Sequence, residues 1–387
     1  MSKTMKIIVV TLLLVVCFTL SFGAGCALSS STRSDSDDVP GIVEEVWDII
    51  FQDYVEQDRL DATALSQAAI KGMLEELDDP YTSYLSPQVY QMGLSSLEGK
   101  FEGIGAWVEA KDKQIIIISP MPNSPAKKAG IRAGDVILEV DGMSTVDMSL
   151  EEAVLHILGP KGTLVTLLIL HQGETEPEEI EIIRAEIELY SVDFEMKGDI
   201  AYININHFTE RTNEELSKAL ESITREEAAG IVLDLRRNPG GLVTAVVDVA
   251  GQFMREGVVL FVVDNQGEQS SLSVKQGGVT NDLPLVVLTD NYSASGSEVL
   301  AGALQDYARA TIAGAKTYGK GSVNNLNKLS DGSGLYITTA RWLTPKGRLI
   351  EGKGITPDYE LELEGEDAIQ WAIDYLNDNK GRMGSLR

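Results

Sequence analysis

Three short loops carry the residue types that could do chemistry, and each follows an apolar segment predicted to be a β-strand. Residues 234–241 (DLRRNPGG) combine a proline with two glycines, a composition that can turn backbone N–H groups toward an anion. Residues 291–298 (NYSASGSE) place three serines at the start of a predicted helix, and residues 317–322 (TYGKGS) set a lysine between two glycines. Taken singly, these loops are most simply a tight turn, a set of helix caps and a solvated lysine.

Taken together, the loops indicate a nucleophilic serine with its own base, with Ser293, Ser295 and Ser297 all open as the nucleophile. His207 is the only histidine in this part of the chain, so a Ser-His-Asp triad has a weak basis, whereas a Ser-Lys dyad is the other established arrangement. Lys320 could act as the base only when neutral, which requires burial to lower its pKa from about 10.4 to about 7.

The third loop also comes within one residue of a phosphate-binding loop. Gly321 stands where that motif places a magnesium-binding hydroxyl, so a nucleotide site is disfavoured.

The elements around these loops fall into three groups. Apolar residues recur at helical spacing in two runs within residues 40–78, which predicts two helices in a packed subdomain. Strand patterns at 115–118, 136–140, 164–170 and 180–183, with one helix capped by Ser149 and Glu152, predict a small β domain.

From about residue 190, strands alternate with helices. Strands are predicted at 200–205, 231–235, 258–263 and 283–289, and helices at 242–253, at 296–307 and after a cap formed by Thr212 and Glu215. This alternation is typical of an α/β core with a largely parallel sheet covered on both faces. Residues 264–282 are predicted to be a surface loop.

Composition excludes several classes of function. The chain has 387 residues with 32 basic against 59 acidic side chains, a net charge of −27, which argues against binding to nucleic acid. Its two cysteines, Cys17 and Cys26, precede the body, so disulfides, cysteine nucleophiles and cysteine-rich zinc sites are not expected there. Three histidines leave little room for a metal centre, and we expect no metal or other cofactor.

The N-terminus has the pattern of an export signal. Lys3 and Lys6 precede an apolar run over residues 7–22, followed by GAGC ending at Cys26. Residues 1–26 are therefore a signal peptide or a membrane anchor, and the GAGC sequence resembles a lipobox that would place a lipid on Cys26. Residues 27–39 have the composition of a polar tether. Lipidation, an uncleaved anchor and simple cleavage all place the body outside the cytoplasm, tethered to the bacterial membrane in the first two cases.

From about residue 40 to 360 the chain resembles the C-terminal processing peptidases, also called tail-specific proteases. The motifs that carry the resemblance occur in the family's order, and they are DPYTSYL (79–85), FEGIGA (101–106), SPA (124–126), AGI (129–131), GDVI (134–137), residues 234–241, SASGSE (293–298), AGALQD (301–306), TYGKGSV (317–323) and GITPD (354–358). The resemblance implies a multidomain chain of α/β and β parts. Its parts are a helical subdomain at 40–99, an inserted PDZ domain at 100–185, a crotonase-like protease core at 186–362, and a C-terminal helix and tail at 363–387.

The resemblance also implies roles for individual residues. Ser295 would be the nucleophile and Lys320 the general base, with Asn324, where the family usually has glutamine, orienting the lysine. The oxyanion would be held by the N–H groups of Gly240 and Gly296, the latter replacing the family's usual alanine. The PDZ loop that binds a terminal carboxylate would be Gly103, Ile104, Gly105 and Ala106. Leu158 stands where many members have an arginine, so coupling of the two domains through that arginine is not expected here.

These features predict a serine endopeptidase whose partners are the C-terminal tails of proteins or peptides, and we also allow for a homo-oligomer. One alternative is a catalytically inactive PDZ adaptor at the membrane surface, motivated by Asn324 and Gly296. A second alternative is a crotonase-type acyl-CoA enzyme, which would share the core fold but is disfavoured by export.

Overall fold

The computed structural model describes residues 39–111, 113–146, 148–275 and 282–383. The predicted signal or anchor at 1–26, its Cys26 and the predicted tether up to residue 38 lie outside the described residues. Within those ranges, none of the helices combines the length and the apolar character needed to cross a bilayer.

Two helices open the described chain, α1 (Val39–Asp53) and α2 (Ala62–Glu75), as the spacing predicted. Helix α2 begins where the Asp61 side chain accepts hydrogen bonds from the N–H groups of Thr63 and Ala64. The expected close packing of these helices is wrong, because Ile42 is 60% exposed and Ile49 is 50% exposed. Their apolar faces point outward, and nothing in the described part of the chain covers them.

Residues 83–97, predicted as part of the helical subdomain, belong instead to the main core. Strand β1 (Ser83–Leu85) pairs antiparallel with the later strand β18 (Gly334–Leu343), and helix α3 (Pro87–Leu97) follows it. Leu85, Tyr90 and Leu97 are buried in the same cluster as the α/β core, so this segment is tied to the site-bearing domain.

A small β domain follows, with its own buried core. Its elements are β2 (Lys100–Gly103), β3 (Ala106–Lys111), β4 (Gln114–Pro120), α4 (Pro125–Lys128), β5 (Val136–Val140), β6 (Met143–Ser144), α5 (Leu150–Ile157), β7 (Leu164–Leu170), β8 (Glu178–Ile183) and β9 (Ala185–Glu188). The sheet is antiparallel in the order β3-β4-β5-β7-β8, so β3 lies at an edge, with α5 against β3 and β5. The predicted cap is confirmed, since Ser149 and Glu152 exchange hydrogen bonds of 2.7 and 3.1 Å. Strands β2 and β9 pair antiparallel and bracket the domain.

The α/β core contains a six-stranded sheet in the order β10-β11-β12-β15-β16-β19. Its strands are β10 (Val192–Lys197), β11 (Ile200–Ile205), β12 (Gly230–Asp234), β15 (Leu285–Thr289), β16 (Thr311–Gly314) and β19 (Tyr359–Glu360). All neighbours are parallel except β10 with β11. Helices α6 (Thr212–Arg225), α7 (Val243–Gly251) and α8 (Gly296–Asp306) cover one face of this sheet, and α9 (Gly365–Met383) covers the other. Alternate residues of β12 point to opposite faces, since Ile231 and Leu233 are buried with the first three helices and Val232 is buried with α9. The predicted parallel sheet, covered on both faces, is confirmed.

A second sheet differs from the expectation. Strand β13 (Val258–Asp264), predicted within the parallel core, pairs antiparallel with β14 (Gln269–Ser273) and β18 (Gly334–Leu343), and β17 (Ser322–Lys328) also pairs with β18. Strand β14 lies inside the segment predicted to be a loop. All five of its residues are exposed, so its sequence carries no alternation of buried and exposed side chains and only pairing with β13 reveals it.

The predicted cap by Thr212 and Glu215 is wrong. Thr212 is the first residue of α6 rather than its cap, and its hydroxyl accepts from the N–H of Thr209 at 2.8 Å. The Glu215 carboxylate accepts from the N–H and the hydroxyl of Ser191 at 2.7 and 2.9 Å. Both side chains form hydrogen bonds with other residues instead of with each other's backbone, so the predicted capping motif does not form.

A buried pair of His171 and Asp135 in the small β domain predicts that the stability of this domain depends on pH. The buried ring nitrogen Nδ1 of His171 lies 2.9 Å from Asp135 Oδ1, and this carboxylate raises the pKa of His171 above its usual 6.5. The stabilisation is complete below about pH 6.5 and is lost as pH rises through the raised pKa.

We expect the unfolding free energy of this domain in urea to fall between pH 6 and pH 8. His171→Gln should flatten that fall and the exposed control His156→Gln should not; identical slopes in all three proteins would refute it.

Candidate active site

The three chemistry-bearing loops meet at one edge of the parallel sheet. Strands β12, β15 and β16 are direct neighbours, and residues 234–241, 291–298 and 317–322 follow their carboxyl ends. Open α/β sheets place their binding sites at this edge because parallel strands all end there.

Asp290, at the end of β15, ties the first loop to the second. Its Oδ1 accepts from the N–H of Arg237 at 3.0 Å and from the N–H of Ser293 at 2.9 Å. Arg237 has a φ of +59°, which a non-glycine residue adopts at a cost, so this hydrogen bond helps to hold an unfavourable turn.

Glu298, in the first turn of α8, ties the second loop to the third. Its Oε2 accepts from the N–H groups of Ser295 at 2.9 Å and Lys320 at 2.8 Å. Its Oε1 accepts from the hydroxyl of Thr317 at 2.5 Å and the N–H of Gly319 at 2.7 Å. One fully buried carboxylate thus binds the backbone of both predicted dyad residues through a single oxygen atom.

The protonation state of Glu298 is set by two opposing effects. Burial raises its pKa to about 7, while the four hydrogen bonds act to lower it. The ionised form accepts all four bonds, whereas protonation would turn one oxygen into a donor that faces other donors. The junction between the loops is therefore complete when Glu298 is ionised.

The structure separates the three candidate serines. The hydroxyl of Ser293 donates to the carbonyl of Leu235 at 2.8 Å, and that of Ser297 donates to the carbonyl of Asn238 at 2.9 Å. Among the described residues, no backbone carbonyl accepts a bond from the hydroxyl of Ser295. Ser295 instead has a strained backbone, with φ +52° and ψ −113°, at the entrance to α8. Strain of this kind clusters at functional positions, and it marks Ser295 as the exceptional serine of the three.

Lys320 is buried, with 7% of its surface exposed, among aromatic rings. Its Nζ lies 5.1 Å from the ring centre of Tyr81 and 5.7 Å from that of Tyr336. Tyr81 comes from the segment just before β1 and Tyr336 from β18, so two other parts of the chain supply rings beside the amine. Sequence reasoning assigned neither tyrosine to the site. The only available signal was the position of Tyr81 inside the DPYTSYL motif.

Asn324 lies on β17, four residues after the lysine, and is 1% exposed. Its Nδ2 donates to the carbonyl of Tyr81 at 3.1 Å and to the hydroxyl of Thr338 at 2.9 Å, and its Oδ1 accepts from Ser322 at 3.1 Å. The amide therefore holds the segment that supplies Tyr81 against the second sheet, next to the lysine loop.

Gly240 and Gly296, the predicted oxyanion residues, lie face to face. A Cβ built on Gly240 would lie 2.7 Å from the nitrogen of Gly296, and Gly240 has a φ of +104°. Gly296 is the first residue of α8, where a backbone N–H has no acceptor within the helix. The N–H of Gly240 donates to Asn238 Oδ1 at 2.8 Å, so it already has a partner in this structure.

The predicted tail-binding loop lies in the small β domain, apart from the other site residues in the fold. Gly103 ends β2 and Ala106 begins β3, while the carbonyls of Ile104 and Gly105 accept from the N–H groups of Ala126 and Met121 at 2.8 and 2.9 Å. Gly105 has a φ of +74°, and a Cβ there would lie 2.5 Å from that of Ser124. Glycine is therefore required where the loop turns into the edge strand.

Comparison with family profiles divides the chain into three parts. Peptidase family S41 matches residues 199–361, the PDZ domain matches residues 85–170, and the activating protease CtpB N-terminal domain matches residues 27–88.

Individual relatives extend this similarity along most of the chain. The "Probable CtpA-like serine protease" of Staphylococcus aureus strain N315 is 38% identical over 322 residues, 83% of this chain, and that of Staphylococcus epidermidis is 37% identical over 321 residues. The chain spans 64% of the length of the first and 65% of the second. The solved photosystem II D1 C-terminal processing protease is 30% identical, with a TM-score of 0.53 over 85% of this chain and 95% of that protein.

Replacement of Glu298 tests the junction directly. Glu298→Gln substitutes an NH2 group for one acceptor, so at least one buried donor loses its partner, and we expect unfolding to require about 1–3 kcal/mol less free energy. In the wild-type protein the amide resonances of Gly319 and Lys320 should titrate with a midpoint near pH 7, and in the variant they should not. Ionisation of Glu298 completes its four hydrogen bonds but leaves a charge in a dry interior, and this burial raises its pKa above the ordinary 4.5. Wild-type stability should therefore fall as pH rises from about 4.5 to about 7 and level off above that range.

The matched control is Glu221→Gln on the exposed face of α6, which should change neither observable. Amide titrations that persist in Glu298→Gln would show that another group drives them.

Proposed function

The chain belongs to peptidase family S41, and we propose that it is a serine endopeptidase that captures proteins by their C-terminal tails and cleaves them with a Ser295-Lys320 dyad. The observation that carries the proposal is the Glu298 oxygen shared by the backbone N–H groups of both residues, which fixes the nucleophile loop against the lysine loop. The resemblance of the motifs, the strain at Ser295 and the burial of Lys320 support the same assignment.

In the proposed reaction the hydroxyl oxygen of Ser295 attacks a peptide carbonyl while its proton passes to the neutral amine of Lys320. The resulting ammonium then gives that proton to the leaving amine as the peptide C–N bond breaks. Water next attacks the acyl-enzyme and passes a proton to Lys320, and the bond to the Ser295 oxygen breaks as that oxygen takes the proton back. Burial disfavours the charged form of a lysine, which keeps the amine available as a base. The faces of the Tyr81 and Tyr336 rings favour the cation that forms when the amine accepts the proton.

The negative oxygen that develops on the carbonyl would be held by the N–H groups of Gly296 and Gly240. Gly296 presents its N–H at the positive end of α8, which favours an anion. Gly240 can contribute when its N–H shares or exchanges the bond to Asn238 as substrate binds. Asn324 would act as a positioning residue, because it fixes the segment that brings Tyr81 to the lysine.

Substrate capture would take place in the PDZ domain. Its edge strand β3 can accept an added strand, and the loop formed by Gly103, Ile104, Gly105 and Ala106 would hold the terminal carboxylate through backbone N–H groups. Capture of a tail explains why a peptidase core would carry this inserted domain.

We further propose that the body works outside the cytoplasm, held at the membrane by its N-terminus. This proposal rests on the basic, then apolar, then GAGC pattern of residues 1–26. Self-association would be compatible with the exposed apolar faces of α1 and α2.

Removal of either dyad residue tests the chemistry. With an unfolded protein that ends in an apolar tail as substrate, we expect Ser295→Ala and Lys320→Ala each to lower kcat/KM by about 10³-fold or more, since only binding and the oxyanion pocket remain. The control Ser222→Ala removes a half-buried hydroxyl from α6, remote from the three loops in the chain, and should cleave like wild type. Product mass spectra should give the cleavage sites.

The same assay separates the alternatives. Tail binding without turnover, and without labelling of Ser295 by a fluorophosphonate, would indicate the inactive adaptor. Turnover of a CoA thioester in place of protein would indicate the acyl-CoA enzyme. Equal proteolysis by wild type and Ser295→Ala would refute the dyad.

Fractionation of bacteria that express the full chain tests the location. The wild-type protein should sediment with membranes and be cut by protease added to spheroplasts, because the body lies outside. A chain lacking residues 1–26 should be soluble and protected in the cytoplasm. Loss of palmitate labelling in Cys26→Ala would identify a lipid anchor. Retention at the membrane without any labelling of the wild-type chain would identify an apolar helix as the anchor. A wild-type chain found in the cytosol would contradict the proposal.

A further inference from the structure

The edge strand of the PDZ domain shows two distinct sets of side chains. Along β3 the side chains alternate: Ala106 and Val108 are partly buried toward the domain, while Trp107 and Glu109 are exposed. Trp107 has 54% of its surface exposed, a large fraction for a tryptophan that no described element covers. Because successive side chains of a strand point to opposite faces, Trp107 and Glu109 share the face opposite to that of Ala106 and Val108.

The neighbouring strand adds a second apolar side chain at the same level. The pairing of β3 with β4 joins Trp107 to Ser119 and then Val108 to Ile117, which leaves Ile118 as the extra residue of a bulge. Ile118 is 52% exposed, while Ile117 is fully buried. Ile118 therefore points away from the core, as Trp107 does, and the outer side of the sheet carries apolar surface beside the start of the edge strand.

The register of an added tail follows from where its carboxylate is held. This step rests on the proposed capture of tails by the loop that ends at Ala106. A tail that runs antiparallel to β3 from that loop places its last residue opposite Ala106, its penultimate residue opposite Trp107 and its fourth-from-last residue opposite Glu109. Side chains directly opposite each other in antiparallel strands lie on the same face and interact.

We propose that Trp107 and Glu109 determine specificity for the residues of the tail that point outward. Trp107, next to Ile118, selects a large apolar or aromatic penultimate residue, since stacking on an exposed ring removes apolar surface of both partners from water. Glu109 selects a lysine or arginine at the fourth-from-last position. Its carboxylate forms no ion pair with any described residue, and an acidic side chain placed opposite it would be repelled. The ligand is thus a protein tail with a basic, then an apolar, outward-facing residue.

Binding of labelled ten-residue peptides to the full chain carrying Ser295→Ala, which prevents cleavage, tests this proposal by fluorescence anisotropy. One peptide pair differs only in tyrosine or serine at the penultimate position, and another only in lysine or glutamate at the fourth-from-last position. We expect each preferred peptide to bind about three- to fivefold more tightly, the order expected of one cross-strand pair. Trp107→Ala should reduce the first ratio to about one, and Glu109→Lys should invert the second.

Three controls keep the outcome interpretable. Glu181→Gln alters an exposed carboxylate on β8, at the opposite edge of the same sheet, and should leave both ratios unchanged. An amidated version of each peptide should bind weakly to every variant that has folded, because the loop holds a free carboxylate. Trp107→Phe should keep most of the tyrosine preference.

The outcomes distinguish this inference from the proposed function. Peptides that need a free carboxylate but show unchanged ratios in Trp107→Ala and Glu109→Lys would overturn the inference and leave tail capture intact. Equal binding of free and amidated peptides, or no binding at all, would overturn tail capture and this inference with it. Cleavage by the wild-type enzyme measures the dyad independently of either result.

Discussion

The candidate site depends on one buried carboxylate that satisfies four donors from two loops. Glu298 binds the backbone on both sides of the proposed chemistry, at Ser295 and at Lys320, and also Thr317 and Gly319. Without it, a helix start and a glycine-rich turn would each keep unpaired N–H groups in a dry interior, at considerable cost. With it, the strained backbone of Ser295 accepts a restraint from the first turn of its own helix, and the same carboxylate oxygen ties that backbone to the lysine loop.

The same principle of shared acceptors links the rest of the sheet edge. Asp290 joins the first loop to the second, so the three loops form one hydrogen-bonded unit across the neighbouring strands β12, β15 and β16. The second sheet closes this unit from the other side. It brings Tyr336, and through its pairing with β1 it brings the segment of Tyr81, to the amine of Lys320. An amine with an aromatic ring on two sides is shielded from water and yet accommodates a transient positive charge.

The small β domain is organised on a different plan, with its own core and an open edge. Its core is formed by strands β4, β5 and β7 and by helix α5, while β3 leaves one side unpaired and exposes Trp107. Edge strands of this kind invite another strand to pair. Under the proposed function, one sheet edge would recognise extended chain and the end of another sheet would perform the chemistry. The pairing of β2 with β9 closes the recognition domain where it leaves and rejoins the core.

Much of this organisation could be predicted from residue order alone. Period-two and helical patterns located β4, β5, β7, β11 and most helices, because apolar spacing is dictated locally by the element that buries it. The motifs also singled out Ser295, Lys320, Gly240 and Gly296 through resemblance. Patterning failed where pairing alone makes the structure, as at the fully exposed strand β14, and where long-range contacts captured the side chains of a local motif, as at Thr212 and Glu215. It also failed at α1 and α2, whose apolar spacing predicted burial that the described chain does not provide.

Sequence by itself therefore determined the elements, their order and the small set of residues able to do chemistry. Only the tertiary structure decided which of the three serines is exceptional, because the hydroxyls of Ser293 and Ser297 are committed to carbonyls far away in the chain. It alone showed that Glu298 joins the loops and that Tyr81 and Tyr336 flank the lysine. The reason is physical: the contacts between these loops and rings join residues that lie from 16 to more than 200 positions apart, and local propensity contains no information about such distances.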